Sequence, residues 1–252
     1  MGSGKKTRLD QTVSAIQARW GSRALRKPAP QASNAIPRIP TCFPSLDALT
    51  GGFPRGGITE LLGAPTAGAT TLALKTVAQA QAGGDIALYL DLGRTFDPDY
   101  AARCGVRLDH LLLARPHHGL EALEAARAVV AGGGAGVLVF DSVADLLTEP
   151  AGPLASGLRQ LAAALARSSC AALFLTPLYF GDVNSPPYPP GFALPHYATL
   201  RLHLEKEAWL QSRHDVRGYK AQVTVLKSRQ GSEGRQAAIA ITFDGVVRGN
   251  GT

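Results

Sequence analysis

A chain of 252 residues, 45% hydrophobic and with a formal charge of +7, can bury a substantial core as one large domain with a small appendage. No stretch approaches the roughly 18 uncharged apolar residues of a membrane span, and "MGSGKKTRLD" has no signal-type apolar run, so a cytoplasmic protein without membrane attachment is expected. Cys42, Cys104 and Cys170, and the adjacent His117 and His118, lack disulfide or metal-ligand spacing; buried thiols and no metal site are expected.

The charge is uneven. Residues 1–30 carry seven Lys/Arg against the single acid Asp10, whereas residues 31–200 carry ten against thirteen. A basic arm of this kind suits nucleic acid or an acidic protein surface, or serves only as a solvated flank. Within it Leu9, Val13, Ile16 and Trp20 recur at helical spacing on one face, and Gly21 stops the helix. "SRALRKPAPQASNAIPRIP" then holds four prolines and reads as an extended linker. The expected division is an arm over 1–40 and a core over 41–252.

From Thr41 onward, apolar runs alternate with alanine-rich helical stretches. "ITELLG", "DIALYLDL", "HLLLARP", "GVLVFD" and "AALFLTPL" read as strands. "TTLALKTVAQAQA", "PDYAARCG", "GLEALEAARAVVAGG" and "GLRQLAAALARSS" read as helices. Alternation of this sort predicts an α/β fold with a mainly parallel central sheet and helices on both faces. The tail carries three strand-like runs without intervening helices, "ATLRLHLEKE", "YKAQVTVLKS" and "QAAIAITFDG", which predicts an antiparallel extension.

"LLGAPTAGATT" lies between a strand and a helix. Gly63, Gly68 and Thr70 match a phosphate loop, with Thr71 following, but Ala69 stands where the lysine belongs. The glycines of such a loop let backbone N–H groups wrap phosphates, the lysine neutralises the outer ones, and the hydroxyl holds magnesium. Ala64 closes off a lysine at the start of the motif, and Lys75 lies more than a turn beyond Thr70, so rescue within the loop is not expected.

"SLDALTGGFPRGGITELLGAPTAGATTLALKTVAQAQ" resembles the start of the RecA core. The resemblance continues through "DPDYAARCGVRLDHLLLARP", the Walker B strand of "GVLVFDSVADL" and the late hairpin of "VTVLKSRQG". It implies a RecA-like P-loop core, with the arm as the segment that packs on a neighbouring protomer and no RecA C-terminal domain. It also locates losses. The water-activating carboxylate of RecA falls on Gly93, and the polar pair that senses the γ-phosphate falls on Thr176 and Pro177. Asp141 and Thr70 keep a magnesium pair in outline, or act only as cap and turn partners. Two basic residues that reach a neighbour's phosphates in RecA filaments correspond to Lys227 and Arg229, which as strand-end cations need no such role.

The loops that grip DNA in RecA correspond to "LLTEPAGPLASG" and "YFGDVNSPPYPPGFALPHYATL", which contain no Lys or Arg. Phosphate binding relies on such cations, so only weak DNA contact through the basic arm is expected. Tyr179, Phe180, Tyr188 and Phe192 could stack on bases, or form an apolar lid. Within RecA relatives the pattern is most similar to the ImuA group, accessories of translesion synthesis in the SOS response. That likeness implies RecA and an ImuB-type, Y-family polymerase homologue as partners. The expectation is a non-catalytic scaffold without ATP or magnesium; the alternative is a DNA-binding ATPase or recombinase paralogue.

Overall fold

Four runs, "ITELLG", "ALYLD", "VLVFD" and "AALFLTP", are buried along almost their whole length, as strands must be when helices cover both faces of a parallel sheet. The computed structural model describes residues 3–21, 37–148, 150–178, 188–212, 215–243 and 247–251. The chain divides into two compact units, Met1–Ala35 and Ile36–Thr252. In the first, α1 spans Ser3–Trp20 and keeps Leu9 57% and Trp20 64% exposed. Residues 22–36 of the expected linker lie outside the described residues.

The second unit begins with β1 (Arg38–Ile39), which pairs antiparallel with β2 (Phe53–Pro54) across α2 (Pro44–Thr50). There follow β3 (Ile58–Gly63), α3 (Ala69–Ala82), β4 (Ala87–Asp91), α4 (Pro98–Arg103), β5 (Leu111–Ala114), α5 (Gly119–Ala131) and β6 (Val137–Asp141). Next come α6 (Val143–Leu146), α7 (Ala151–Leu165), β7 (Ala171–Pro177) and α8 (Leu194–Tyr197). The end of the unit is all strand: β8 (Ala198–Ser212), β9 (Asp215–Ser228), β10 (Gln236–Phe243) and β11 (Val247–Gly251).

One sheet of nine strands holds the order β11-β10-β9-β8-β3-β7-β6-β4-β5. The six strands from β8 to β5 are parallel, and β9, β10 and β11 extend the sheet antiparallel. Each face carries its own core. Leu72, Leu74 and Val77 of α3 pack on one side with Tyr89, Val139 and Leu173. On the other, Ala122 and Leu123 of α5 and Leu154, Leu158 and Leu161 of α7 cover Phe140 and Phe174, whose rings stack with centroids 4.2 Å apart.

Local chemistry sets the helix starts. Asp97 accepts from the N–H groups of Asp99 and Tyr100, with Pro98 in the first turn of α4. His118 Nδ1 accepts from Glu121 N while Glu121 Oε2 accepts from His117 N, so the histidine pair serves as a helix cap.

Two details depart from expectation. "LLTEPAGPLASG" is not one loop, because α7 begins at Ala151. Pro153 is tolerated in a first turn, where N–H groups have no partner, and Leu154, Leu158, Leu161 and Leu165 supply a buried face. The chain also adds β11, paired on β10 from Phe243↔Val247 to Ile239↔Gly251. Its "VRGNG" has too little apolar alternation to read as a strand.

Candidate nucleotide site

The C-terminal ends of β3, β7, β6 and β4 meet in register: Gly63 lies beside Pro177, and Asp141 beside both Leu175 and Asp91. A cavity of about 590 Å³ opens there, where open α/β sheets place their ligands. The connection from β3 to α3 forms its floor. Gly68 precedes α3 at φ +109°, and Thr66 also takes positive φ. A Cβ on Gly68 would meet the Tyr219 hydroxyl at 3.0 Å, and one on Gly63 would meet Leu204 O at 2.6 Å. Close approach of a backbone carbonyl therefore requires glycine at 63, and positive φ favours it at 68.

No side chain caps the N-terminus of the 14-residue α3. Its first-turn N–H groups and positive dipole end face the cavity, an arrangement suited to anions. Ala69, Thr70 and Thr71 all line it. Thr71 is buried, its hydroxyl 2.6 Å from that of Tyr100. Burial pushes the Tyr100 phenol up to about 12, so it remains a neutral hydrogen-bonding wall.

Carboxylates stand opposite. Tyr89 donates to Asp141 Oδ2 at 2.5 Å, yet Asp141 titrates above the usual carboxylate range. Burial is the largest cause, opposed by the Tyr89 hydrogen bond and reinforced by Asp91 and Asp145. Asp91 is fully buried and structural; it accepts from Thr95 N, Phe96 N and Arg115 Nε, fixing the turn that carries Gly93. That turn is not chemically blank. A Cβ on Gly93 would lie 3.1 Å from Asp145 Oδ2, which also accepts from Ser142 Oγ at 2.6 Å. The carboxylate missing at 93 has a neighbour four residues past Asp141.

Thr176 is buried at the cavity edge and donates to Glu60 Oε1 at 3.1 Å. Tyr188 also donates to Glu60, and Arg201 Nε donates to its other oxygen at 2.5 Å. Burial raises the Glu60 carboxyl above its ordinary range despite Arg201. Tyr188 and Phe192 pack in the second core and are not offered to bases, whereas Tyr179 and Phe180 lie outside the described residues.

Lys227 is half-buried and donates to the carbonyls of Pro195 and His196, at 2.8 and 3.0 Å, at the end of α8; Arg229 is exposed. Lys75 is buried along α3. The far wall was not legible in the sequence. It consists of Trp209, Tyr219 and Phe243, whose rings follow one another at 6.0 and 5.9 Å. Lys206 Nζ lies 4.3 Å from the Trp209 ring centre and 3.3 Å from Thr66 Oγ1. Residues 66 and 206 are 140 positions apart, so no local pattern could join them. Asp145, by contrast, lies only four residues past Asp141, on the short helix α6 that follows β6.

Fold and site together define an α/β protein of the phosphate-loop class. The RecA N-terminal domain family matches residues 7–248. Protein RecA of Bacillus licheniformis is 32% identical over 263 residues, covering 96% of this chain and 75% of that protein. Those of Halalkalibacterium halodurans and Aquifex pyrophilus are each 31% identical over 269 residues, covering 98% of this chain and 76% and 77% of theirs. The chain belongs to the RecA N-terminal domain family.

Two expectations are corrected by this match. Ala69, Gly93 and Pro177 by themselves point to a non-enzyme that takes neither ATP nor magnesium. The match to the RecA N-terminal domain family over residues 7–248 and the similarity to RecA proteins over 96–98% of the chain overturn both and favour a nucleotide-binding enzyme. Among the described residues no helix is long and apolar enough to cross a membrane.

Proposed function

We propose that this chain is a RecA-family ATPase acting in DNA repair, with its nucleotide at the N-terminus of α3. The carrying observation is the cavity in which an uncapped helix N-terminus faces Asp141 and Asp145. First-turn N–H groups of α3 would take the phosphates, and Tyr100 and Phe243 the base. Thr70 and Asp141 would hold magnesium, which needs few protein ligands beside phosphate oxygens and water and would neutralise phosphate charge. In hydrolysis, a water oxygen bonds to the γ-phosphorus as the bridging P–O bond breaks. The electron pair leaves on ADP, and Asp145 accepts the proton of the attacking water.

Calorimetric titration with Mg-ATP and a phosphate-release assay test this reading. Saturable binding is expected, with turnover that falls by about 10² to 10⁴ in Asp145→Asn while binding persists. Absence of binding at millimolar Mg-ATP would overturn it.

A narrower role is favoured by the substitutions at 69, 93 and 177 and by the exposed apolar face of α1. It is that of an ImuA-type, nucleotide-dependent accessory of SOS translesion synthesis, joining a RecA filament end beside an ImuB-type partner. Leu9, Val13, Ile16 and Trp20 would supply the contact, and Lys227 and Arg229 would approach the neighbour's phosphates. Lys227 must first release the α8 carbonyls. DNA contact would be weak and carried by the basic arm. Co-purification from DNA-damaged cells, read for RecA and a Y-family polymerase relative, tests this role; recovery of neither removes it.

A further inference from the structure

Strand β3 stops at Gly63, paired with Leu204 of β8, but β8 continues to Ser212. The overhang is held by β9, with Lys206 opposite Ala221 and Trp209 opposite Tyr219. It therefore runs beside the phosphate loop. The 2.6 Å approach of Leu204 O to the place of a Gly63 Cβ shows how closely it passes. Lys206 follows two residues later, so strand alternation returns it toward the same side as Leu204.

The Lys206 ammonium is fixed from two directions. It donates to Thr66 Oγ1 within the loop at 3.3 Å and lies over the Trp209 ring at 4.3 Å. Among the described residues no carboxylate pairs with it. Its neighbour Glu205 points instead toward His203, at 4.0 Å. A positive charge is thus held on the rim of a loop whose own sequence contains none, and its third donor and full charge are available to an anion.

We propose that Lys206 is the phosphate-loop cation of this protein, supplied by the β8 overhang in place of a lysine at position 69. It binds the outer phosphates of the triphosphate, and Trp209 keeps the ammonium over the loop when the site is empty. The inference rests on the nucleotide site described above and deepens it.

Calorimetry on the full chain tests the assignment with Mg-ATP, Mg-ADP and adenosine as separate titrants. Lys206→Gln is expected to weaken Mg-ATP binding at least tenfold, about 1.4 kcal/mol, with a smaller loss for Mg-ADP. Adenosine, which has no phosphate, should bind within twofold of the parent, and that result also reports an intact pocket. Lys206→Arg should retain most of the affinity, and Ala69→Lys placed in the Lys206→Gln chain should restore it. If the parent binds Mg-ATP and Lys206→Gln binds it equally well, the assignment of Lys206 is wrong while the nucleotide site stands. If Lys206→Gln weakens adenosine and Mg-ATP alike, the residue supports the wall and not the phosphates, and the assignment is again wrong. A parent that binds no nucleotide at all overturns both.

Discussion

Strands β3 and β8 lie side by side and parallel, yet they serve the cavity in opposite ways. β3 delivers its contribution by covalent continuity: the strand ends, the chain turns on Gly63 and Gly68, and α3 begins with uncapped N–H groups. β8 contributes by running past that point, so that Lys206 and Trp209 reach the loop from a distant part of the sequence. The first arrangement depends on backbone, and the second on side chains held by an antiparallel hairpin. A neighbouring strand that overhangs a phosphate loop can thus bring a cation to its rim when the loop itself carries none.

The largest test falls on the seam between these strands. Glu60 of β3 is fully buried and held by Arg201 of β8. Arg201→Met should destabilise the fold by about 3 to 5 kcal/mol, because it strands a buried carboxylate. Because the folded pKa of Glu60 lies above its ordinary 4.5, its stability contribution is complete below that value and declines as pH rises through the folded pKa. Removing Arg201 raises that pKa further. The deficit should thus be greatest near neutrality and shrink toward pH 4 in urea titrations. A pH-independent deficit would mean that lost packing, not charge, joins the strands.

Gly63→Ala probes the close approach itself. The new Cβ would sit 2.6 Å from Leu204 O, so β8 must move away from the loop. A loss of about 2 to 3 kcal/mol is expected in chemical unfolding, with weaker Mg-ATP binding in calorimetry. Unchanged stability would show that the overhang can shift freely, and would weaken its role as a fixed wall.

Asp141→Asn separates function from stability on the β3 side. The folded pKa of Asp141 lies above 3.8, chiefly through burial. Its charge therefore costs stability once the pH exceeds the folded value, and no such cost remains below 3.8. The asparagine variant should equal or exceed the parent in stability at pH 7, lose that advantage near pH 3.5, and bind ATP without magnesium dependence. Thermal unfolding across pH and titration with and without magnesium read both effects. A strongly destabilised variant would make Asp141 a structural partner of Tyr89.

The smallest effect on stability is expected from Trp20→Ala, since the side chain is 64% exposed. The change should stay within about 0.5 kcal/mol in unfolding, while capture of ATP-bound RecA falls roughly tenfold if α1 is a docking face. Equal capture would remove α1 from the proposed interface.

The sheet was largely legible from Ile58 to Pro177, because apolar runs of strand length and alanine-rich helical stretches alternate there. Residues 151–156 are less legible, since Gly152 and Pro153 suit a loop but occupy the first turn of α7. The same holds for "VRGNG", a poor strand sequence that pairs because β10 offers it an edge. The floor of the pocket was equally legible, since Gly63, Gly68, Thr70 and Asp141 each sit at a strand end or helix start. The search for a cation at Ala64, Ala69 and Lys75 stayed within the loop and its helix, and a residue 140 positions away, as Lys206 is from Thr66, lies beyond any such local spacing.

Sequence alone thus determined the strand–turn–helix frame of the phosphate loop, since the positive φ of Gly68 before α3 is a local requirement of turn geometry. It also determined which lysine and carboxylate the loop and strand turn lack. Only tertiary structure decided what stands in those places. Lys206 meets Thr66 because β8 pairs with β3 in one register and outruns it, and Asp145 meets Gly93 because β4 and β6 end side by side. Strand pairing fixes such meetings through backbone hydrogen bonds that almost any side chain allows, so the residues themselves carry no mark of the partner they will face.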